Sequence, residues 1–233
     1  MGTALIVEYY DELPDPQNEE PKDWEELLRV GLELFKEQVE KRYSEGTLLR
    51  LLRSDDARTR RATILALGLL GSYKNCNPSV ASMLHNEDRG VRQFAADALW
   101  SLWFRADTEE NCQELRRIIE LPDRRRKRAG LDALIQNAPH YAEAYNQRAL
   151  FHYTIREFHK SIVDCERVLK LNPNHFGAAA GLGRCYMELG KHRAALKAYR
   201  QALKIHPSME DVEEAIRQIE SALGEEERRD EKK

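Results

Sequence analysis

Three glycines just ahead of an arginine, in the stretch FGAAAGLGRC (Phe176–Cys185), are the chain's first candidate for chemistry. Backbone N–H groups free of bulky side chains can cradle a phosphate. A phosphate loop of the Walker type, however, follows a strand and ends in Gly-Lys-Ser/Thr. Here Pro173 punctuates the upstream side, no lysine follows Gly183, and Tyr186, Met187 and Leu189 continue a helical face. Gly183 therefore reads as a point of close approach between helices, and Gly190 as the turn that follows. The paired acids Asp55–Asp56, Glu109–Glu110 and Glu213–Glu214 fall at helix starts, where capping accounts for them. No Ser-His-Asp or Cys-His grouping has a recognisable local context. Cys76, Cys112, Cys165 and Cys185 form no Cys-x-x-Cys pair, and with seven scattered histidines they suggest reduced thiols, not zinc. No catalytic residue, metal ligand or cofactor is expected.

The strongest charge run is DRRRKRAG, which puts Arg124, Arg125, Arg126, Lys127 and Arg128 in succession. Such a run could meet phosphates, but five consecutive bases on a helix point all round it, so only two or three can share a target. Charge elsewhere is uneven: residues 1–43 carry 12 acidic against 5 basic side chains, and residues 44–138 carry 16 basic against 13 acidic, within a net charge of −3. This is not the strongly basic balance of a nucleic-acid-binding domain, so nucleic acid is not the expected partner. Apolar residues make up 42% and charged residues 33%, a mix that suits thin helical layers with much exposed surface. No apolar run approaches the roughly 20 residues of a membrane span. The start, MGTALIVEYYDELPDPQ, lacks the basic opening and long apolar core of a secretory signal. A cytoplasmic protein that does not engage membranes is expected.

The elements that would position these residues repeat. Pro173 and Pro207 lie 34 residues apart and close similar segments, AYNQRALFHYTIREFHKSIVDCERVLKLNP and AAGLGRCYMELGKHRAALKAYRQALKIHP. On that period Ala149 falls on Gly183, Ser161 on Ala195, Cys165 on Tyr199, Val168 on Ala202 and Leu169 on Leu203. One further step back, Pro139 follows LDALIQNAP. Small residues stand where two antiparallel helices would touch. The pattern resembles the tetratricopeptide repeat: Leu182, Gly183, Tyr186, Ala195, Tyr199, Ala202 and Pro207 are in register over 176–207. Residues 142–173 fit with His152 and Ser161 replacing a tyrosine and an alanine, and 108–139 fit poorly, because Lys127 takes the inter-helix alanine position.

Upstream, DDARTRRATILALGLLG (Asp55–Gly71) and EDRGVRQFAADALWSLW (Glu87–Trp103) align with an offset of 32, matching Asp56 to Asp88, Arg60 to Arg92, Ala66 to Ala98 and Leu67 to Leu99. Each follows a shorter amphipathic helix. The Asp in the turn caps the helix, and the Arg one turn on can bond back to the turn or to its neighbour's Asp. This alternation resembles the HEAT repeat in its short bacterial form.

The expected fold is all-α: an α-solenoid of stacked antiparallel helix pairs, HEAT-like repeats followed by tetratricopeptide units and a C-terminal capping helix. Residues 1–20 read as an acidic flexible arm in which ALIVEYY could extend as a strand. Residues 21–106 read as an N-terminal capping helix and two HEAT-like repeats. In that helix Trp24, Leu27, Leu28, Leu34, Phe35 and Val39 form the buried stripe, with Pro21 and Asp23 at its start. Residues 107–224 read as a degenerate tetratricopeptide-like unit, two full units and a capping helix burying Val212, Ala215, Ile216 and Ile219, and 225–233 as a disordered charged tail. Trp100, Trp103 and Phe104 are expected to be core.

The resemblance is to bacterial HEAT/tetratricopeptide proteins whose function the family leaves undefined. It implies a protein–protein interaction scaffold or adaptor that holds a peptide or partner protein in a concave groove lined by the first helices. By register that groove carries Glu143, Asn146, Gln147, Leu150, Tyr153, Arg184, Met187 and Glu188. The family's carboxylate clamp for chaperone tails is not expected, since Leu150 and Gly181 stand where it would place asparagines. Two other readings stay open. One is nucleic-acid or anionic-surface binding through Arg124–Arg128; the other is an enzyme-associated role of the chromophore-lyase-like kind known among HEAT-like proteins.

Overall fold

The computed structural model describes residues 4–14 and 24–230, and among them every regular element is a helix. The chain divides into two compact units, Met1–Leu102 and Trp103–Lys233. The fold is an all-α solenoid of consecutive helix pairs.

In the first unit α1 (Leu5–Asp11) packs on α2 (Trp24–Arg42) and on α4 (Ala57–Leu70), which also pairs with α3 (Glu45–Leu51). α5 (Tyr73–Ser82) runs into a 3-10 turn at Met83–His85, and α6 (Arg89–Phe104) crosses α4 where Gly68 meets Ala98. A Cβ on Gly68 would stand 2.9 Å from that of Ala98, so the crossing requires glycine. The repeated Asp and Arg build the turns. Asp56 accepts from the N–H groups of Arg58 and Thr59 (3.3 and 2.8 Å), and Asp88 from that of Val91 (2.8 Å). Arg60 Nη1 donates to the carbonyls of Ser54 and Asp55 (2.7 and 3.1 Å), and Arg92 Nη1 repeats this on Asn86 and Glu87 (2.8 and 2.9 Å). The next repeat's Asp88 is gripped by Arg61, one residue later, through a fork of 2.7–3.0 Å bonds.

Three expectations are corrected. Residues 5–11, read as part of a loose arm, form a helix: Ile6 and Val7 are buried, and the Ile6 N–H donates to Tyr43 Oη at 3.1 Å. Seven residues have little helical stability of their own, so this helix is held by burial of one apolar edge. Residues 15–20, Pro21 and Asp23 lie outside the described residues. The buried stripe of α2 is also displaced. Phe35 and Val39 are buried, but Leu27 and Leu34 are 38% and 56% exposed. The covered line runs Leu28, Leu32, Phe35, Val39, and its immediate predecessors turn about 100° away from it. Finally, of the tail read as disordered over 225–233, the backbone of residues 225–230 continues α13 (Glu210–Asp230), as the Glu and Arg of 225–229, good helix formers, permit, while 231–233 lie outside the described residues.

The second unit stacks α7 (Glu109–Glu120) with α8 (Arg124–Asn137), α9 (Ala142–Thr154) with α10 (Phe158–Leu171), and α11 (Phe176–Glu188) with α12 (His192–Ile205), and α13 closes on α12. Ala149, Ser161, Gly183 and Ala195, the small residues of the 34-residue period, are all buried at these contacts. A Cβ on Gly183 would lie 2.4 Å from two ring atoms of Tyr199. Lys127, where an alanine would fit the period, swings its Nζ to the Ile119 carbonyl at 2.7 Å. In α13, Val212 and Ile219 are buried, with Ala215 and Ile216 partly so. Trp103 is buried, stacked on His175 with ring centroids 4.1 Å apart.

Candidate partner-binding groove

The register of α9 separates two faces. Residues 146, 147, 150, 153 and 154 project to one side of the helix, and Arg148 and His152 to the other. The first face is the candidate groove.

Its centre is Leu150, 43% exposed on an otherwise well-covered helix. On the α11 side lies a narrow hollow lined by Asn146, Leu150, Tyr153, Gly177, Gly181 and Arg184, with Ala149, Ser161 and Cys165 as its floor. Gly177 and Gly181 keep the α11 wall low: a Cβ on Gly181 would stand 3.2 Å from Cys165 Sγ. Burial pushes the Cys165 thiol up to about 12, so this sulfur is a wall and not a nucleophile. The Tyr153 hydroxyl donates to Glu188 at 3.4 Å and is raised by burial first and by Glu188 second. Arg184, half-buried, makes neither a hydrogen bond nor an ion pair among the described residues. On the other side of Leu150 a wider hollow opens between the α7–α8 turn and α9. Its lining includes Ile119, Pro122, Arg124, Lys127 and Phe151.

Sequence register thus brings Gln147, Leu150, Tyr153, Arg184, Met187 and Glu188 to at least partly exposed positions, with Leu150, Tyr153 and Arg184 in one hollow. It misplaces Glu143, and Asn146 reaches the hollow only from a buried position. Both are buried, because the first turn of α9 faces the start of α11. Glu143 collects Asn146 Nδ2 (3.0 Å) and Gln147 Nε2 (2.7 Å) on one oxygen and His175 Nε2 (3.1 Å) on the other. His175 in turn caps α11, its Nδ1 accepting the Ala178 N–H at 3.1 Å, which fixes the ring proton on Nε2. Asn146 is therefore committed to Glu143. No local pattern announces the α7–α8 hollow: Ile119 and Pro122 come from the end of α7 and its turn, and Phe151 from α9 in another repeat.

The basic run is divided. Arg124, Arg125 and Arg126 are exposed, Lys127 is tied to Ile119, and Arg128 lies 3.8 Å from Glu157. The opposite face of α9 holds a hollow of about 420 Å³ around Arg148. Arg148 donates through Nε and Nη2 to Asp164 (2.8 and 2.7 Å) and through Nη1 to Asp132 (2.8 Å), which hold its guanidinium protonated. His152 Nδ1 sits 2.8 Å from Glu157, itself bonded by Lys160. The network satisfies its own charges and acts as a strut between α8, α9 and α10.

Comparison with known proteins places HEAT repeats over residues 44–135 and tetratricopeptide repeats over residues 142–175 and 178–209. The HEAT match takes in α7 and most of α8, where a degenerate tetratricopeptide unit was expected. A Rhizobium etli protein described as TPR repeat-containing is 33% identical over 93 residues, covering 40% of this chain and 46% of that one. The match thus spans less than half of that relative. Among the described residues no helix is long and apolar enough to cross a membrane.

Proposed function

The chain is a HEAT and tetratricopeptide repeat protein, and on that premise we propose that it acts as a non-enzymatic scaffold, holding a segment of a partner protein in the groove over α9 and α11. The observation that carries this reading is Leu150, an exposed apolar side chain set between two hollows, with the unpaired guanidinium of Arg184 in one of them. Exposed leucines are common singly, but a leucine at the centre of a concave strip with a cation beside it has the make-up of a recognition surface. The acid–base pairs of this unit argue in the same direction. Glu143–His175 and Asp164–Arg148 are each closed by structural hydrogen bonds that leave no reacting geometry open. Binding of an anionic surface through the basic run has less support, because Arg124, Arg125 and Arg126 alone are left to make phosphate contacts.

The test is capture from a lysate of the source organism, with mass spectrometry, comparing wild type with a Leu150→Asp/Arg184→Glu variant. Both side chains are at least partly exposed, so the helical signal stays unchanged. Proteins retained by wild type and absent from the variant are expected. Identical retained sets would overturn the groove reading.

A further inference from the structure

The two hollows share Leu150, so they form one strip that crosses α9 from the α7–α8 turn to α11. We infer that this strip selects a segment with one apolar side chain at its centre and acidic side chains on both sides, so that the groove and the start of the basic run act as one recognition surface. This rests on the groove reading above and adds the chemistry of the partner.

The argument is charge complementarity about an apolar centre. At one end Arg124, exposed, has no hydrogen bond or ion pair among the described residues. Lys127 beside it is held by the Ile119 carbonyl at 2.7 Å, and Glu120 is one acid against these two cations, so the lining of that hollow keeps one positive charge in excess. At the other end Arg184 is half-buried and likewise unpaired, while the nearby Glu188 is taken by the Tyr153 hydroxyl (3.4 Å) and approached by Arg156 (4.0 Å). A guanidinium that has lost part of its hydration without gaining a carboxylate is a standing deficit. An incoming carboxylate fills it, and the planar fork suits it to paired oxygens. Between the cations the strip is Leu150 with Phe151 and Ile119 on one side and Tyr153 on the other, a seat for a leucine- or phenylalanine-sized side chain. Nucleic acid needs a continuous ladder of cations; two single cations separated by an apolar seat fit an extended acidic peptide instead. Packed helices stand ~8–10 Å apart, and an extended chain advances roughly 3.3 Å per residue. The acids therefore stand about three residues to either side of the apolar one.

The probe is a fluorescein-labelled peptide of about ten residues with a Leu-Phe centre and two aspartates at each end, read by fluorescence anisotropy against the full chain. Beside it run the same peptide with asparagine for every aspartate and a labelled uridine oligonucleotide. The acidic peptide is expected to bind at least tenfold more tightly than the asparagine peptide and to weaken as salt rises. Arg124→Ser and Arg184→Ser should each weaken it severalfold. Arg184→Glu should be rescued by a peptide with lysines at one end and not by the one with lysines at the other. Equal binding of the acidic and asparagine peptides, lost in Leu150→Asp, overturns the charge inference and leaves the groove standing. No saturable binding of either peptide overturns the inference, and the lysate capture then decides the groove alone. An oligonucleotide that binds and depends on Arg124 replaces it with the basic-run reading.

Discussion

Replacing Gly183 with alanine isolates the packing rule that generates the tetratricopeptide half. The new Cβ would stand 2.4 Å from Tyr199 Cδ1 and Cε1 and 2.8 Å from Cγ. Ordinary carbon contacts begin near 3.5 Å, so the ring must retreat by about 1 Å. Tyr199 is buried among Ala180, Ala202 and Val212 and has no free direction to take. Overpacking of this kind costs ~1–3 kcal/mol, and alanine returns ~1 kcal/mol of helix propensity. The net loss is then at most about 2 kcal/mol, a fall in Tm of up to ~8 °C for a chain of this length. One period earlier the same two positions hold Ala149 and Cys165, an extra methyl facing a smaller partner. In a Tyr199→Cys background, itself ~3 kcal/mol less stable through the cavity it leaves, Gly183→Ala should therefore change sign and stabilise by up to ~1 kcal/mol. Urea midpoints of the four proteins, followed by circular dichroism, measure the coupling. Effects that add to within ~0.5 kcal/mol would refute the reasoning.

Two further outcomes follow from the same geometry. Arg156 and Gly190 occupy equivalent turns with φ of 62° and 66°, a region that costs a side-chain-bearing residue ~1–2 kcal/mol, of which glycine's greater unfolded-state freedom takes back ~0.5–1 kcal/mol. Arg156→Gly should raise the urea midpoint slightly and Gly190→Arg should lower it; a midpoint lowered in both would show that the Arg156 side chain outweighs its backbone. The Arg61 fork holds the Asp88 carboxyl below the usual carboxylate range. Its contribution is complete above the unfolded value of ~3.9 and is lost as pH falls through the lower folded value. The drop in denaturant midpoint from pH 7 to pH 3 should accordingly be smaller in Asp88→Asn than in wild type, and equal drops would show that the pair adds nothing.

What the sequence discloses here is what a repeat must impose locally. A close helix crossing admits only small residues, so Ala149/Gly183 and Ser161/Ala195 betray the 34-residue period, and the turn chemistry of Asp56 and Asp88 betrays the 32-residue one. The exposed position of Leu150, centre of the candidate groove, follows from that period. Apart from the tail of α13, the misses are cases where a distant partner decides. α1 exists because Ile6 and Val7 find cover, a fact of tertiary burial and not of propensity. Leu27 and Leu34 belong to an apolar arc of α2 wider than the surface that covers it, so composition alone cannot say which edge is left out. Glu143 reads as a surface acid until His175, 32 residues on, is seen in the cap position of α11. Ile119, Pro122 and Phe151 share a hollow with no shared pattern.

The Glu143–His175 bond has a mechanical meaning. It ties the first turn of α9 to the cap of α11, with both side chains fully enclosed, whereas toward the far ends of the same helices the polar contact is the exposed 3.4 Å one between Tyr153 and Glu188. The two walls, which share α10 as a floor, are thus clasped by a buried polar bond at one end and by a solvent-exposed one at the other. A segment held between them as proposed would meet a pair of tongs with its stiffer joint at Glu143–His175, and adjustment to its bulk would be a fanning of the Tyr153 and Glu188 tips more than a sliding of the whole wall. Tolerance for different occupants should accordingly grow with distance from the pivot, strict beside Asn146 and Gly177 and permissive toward Glu188.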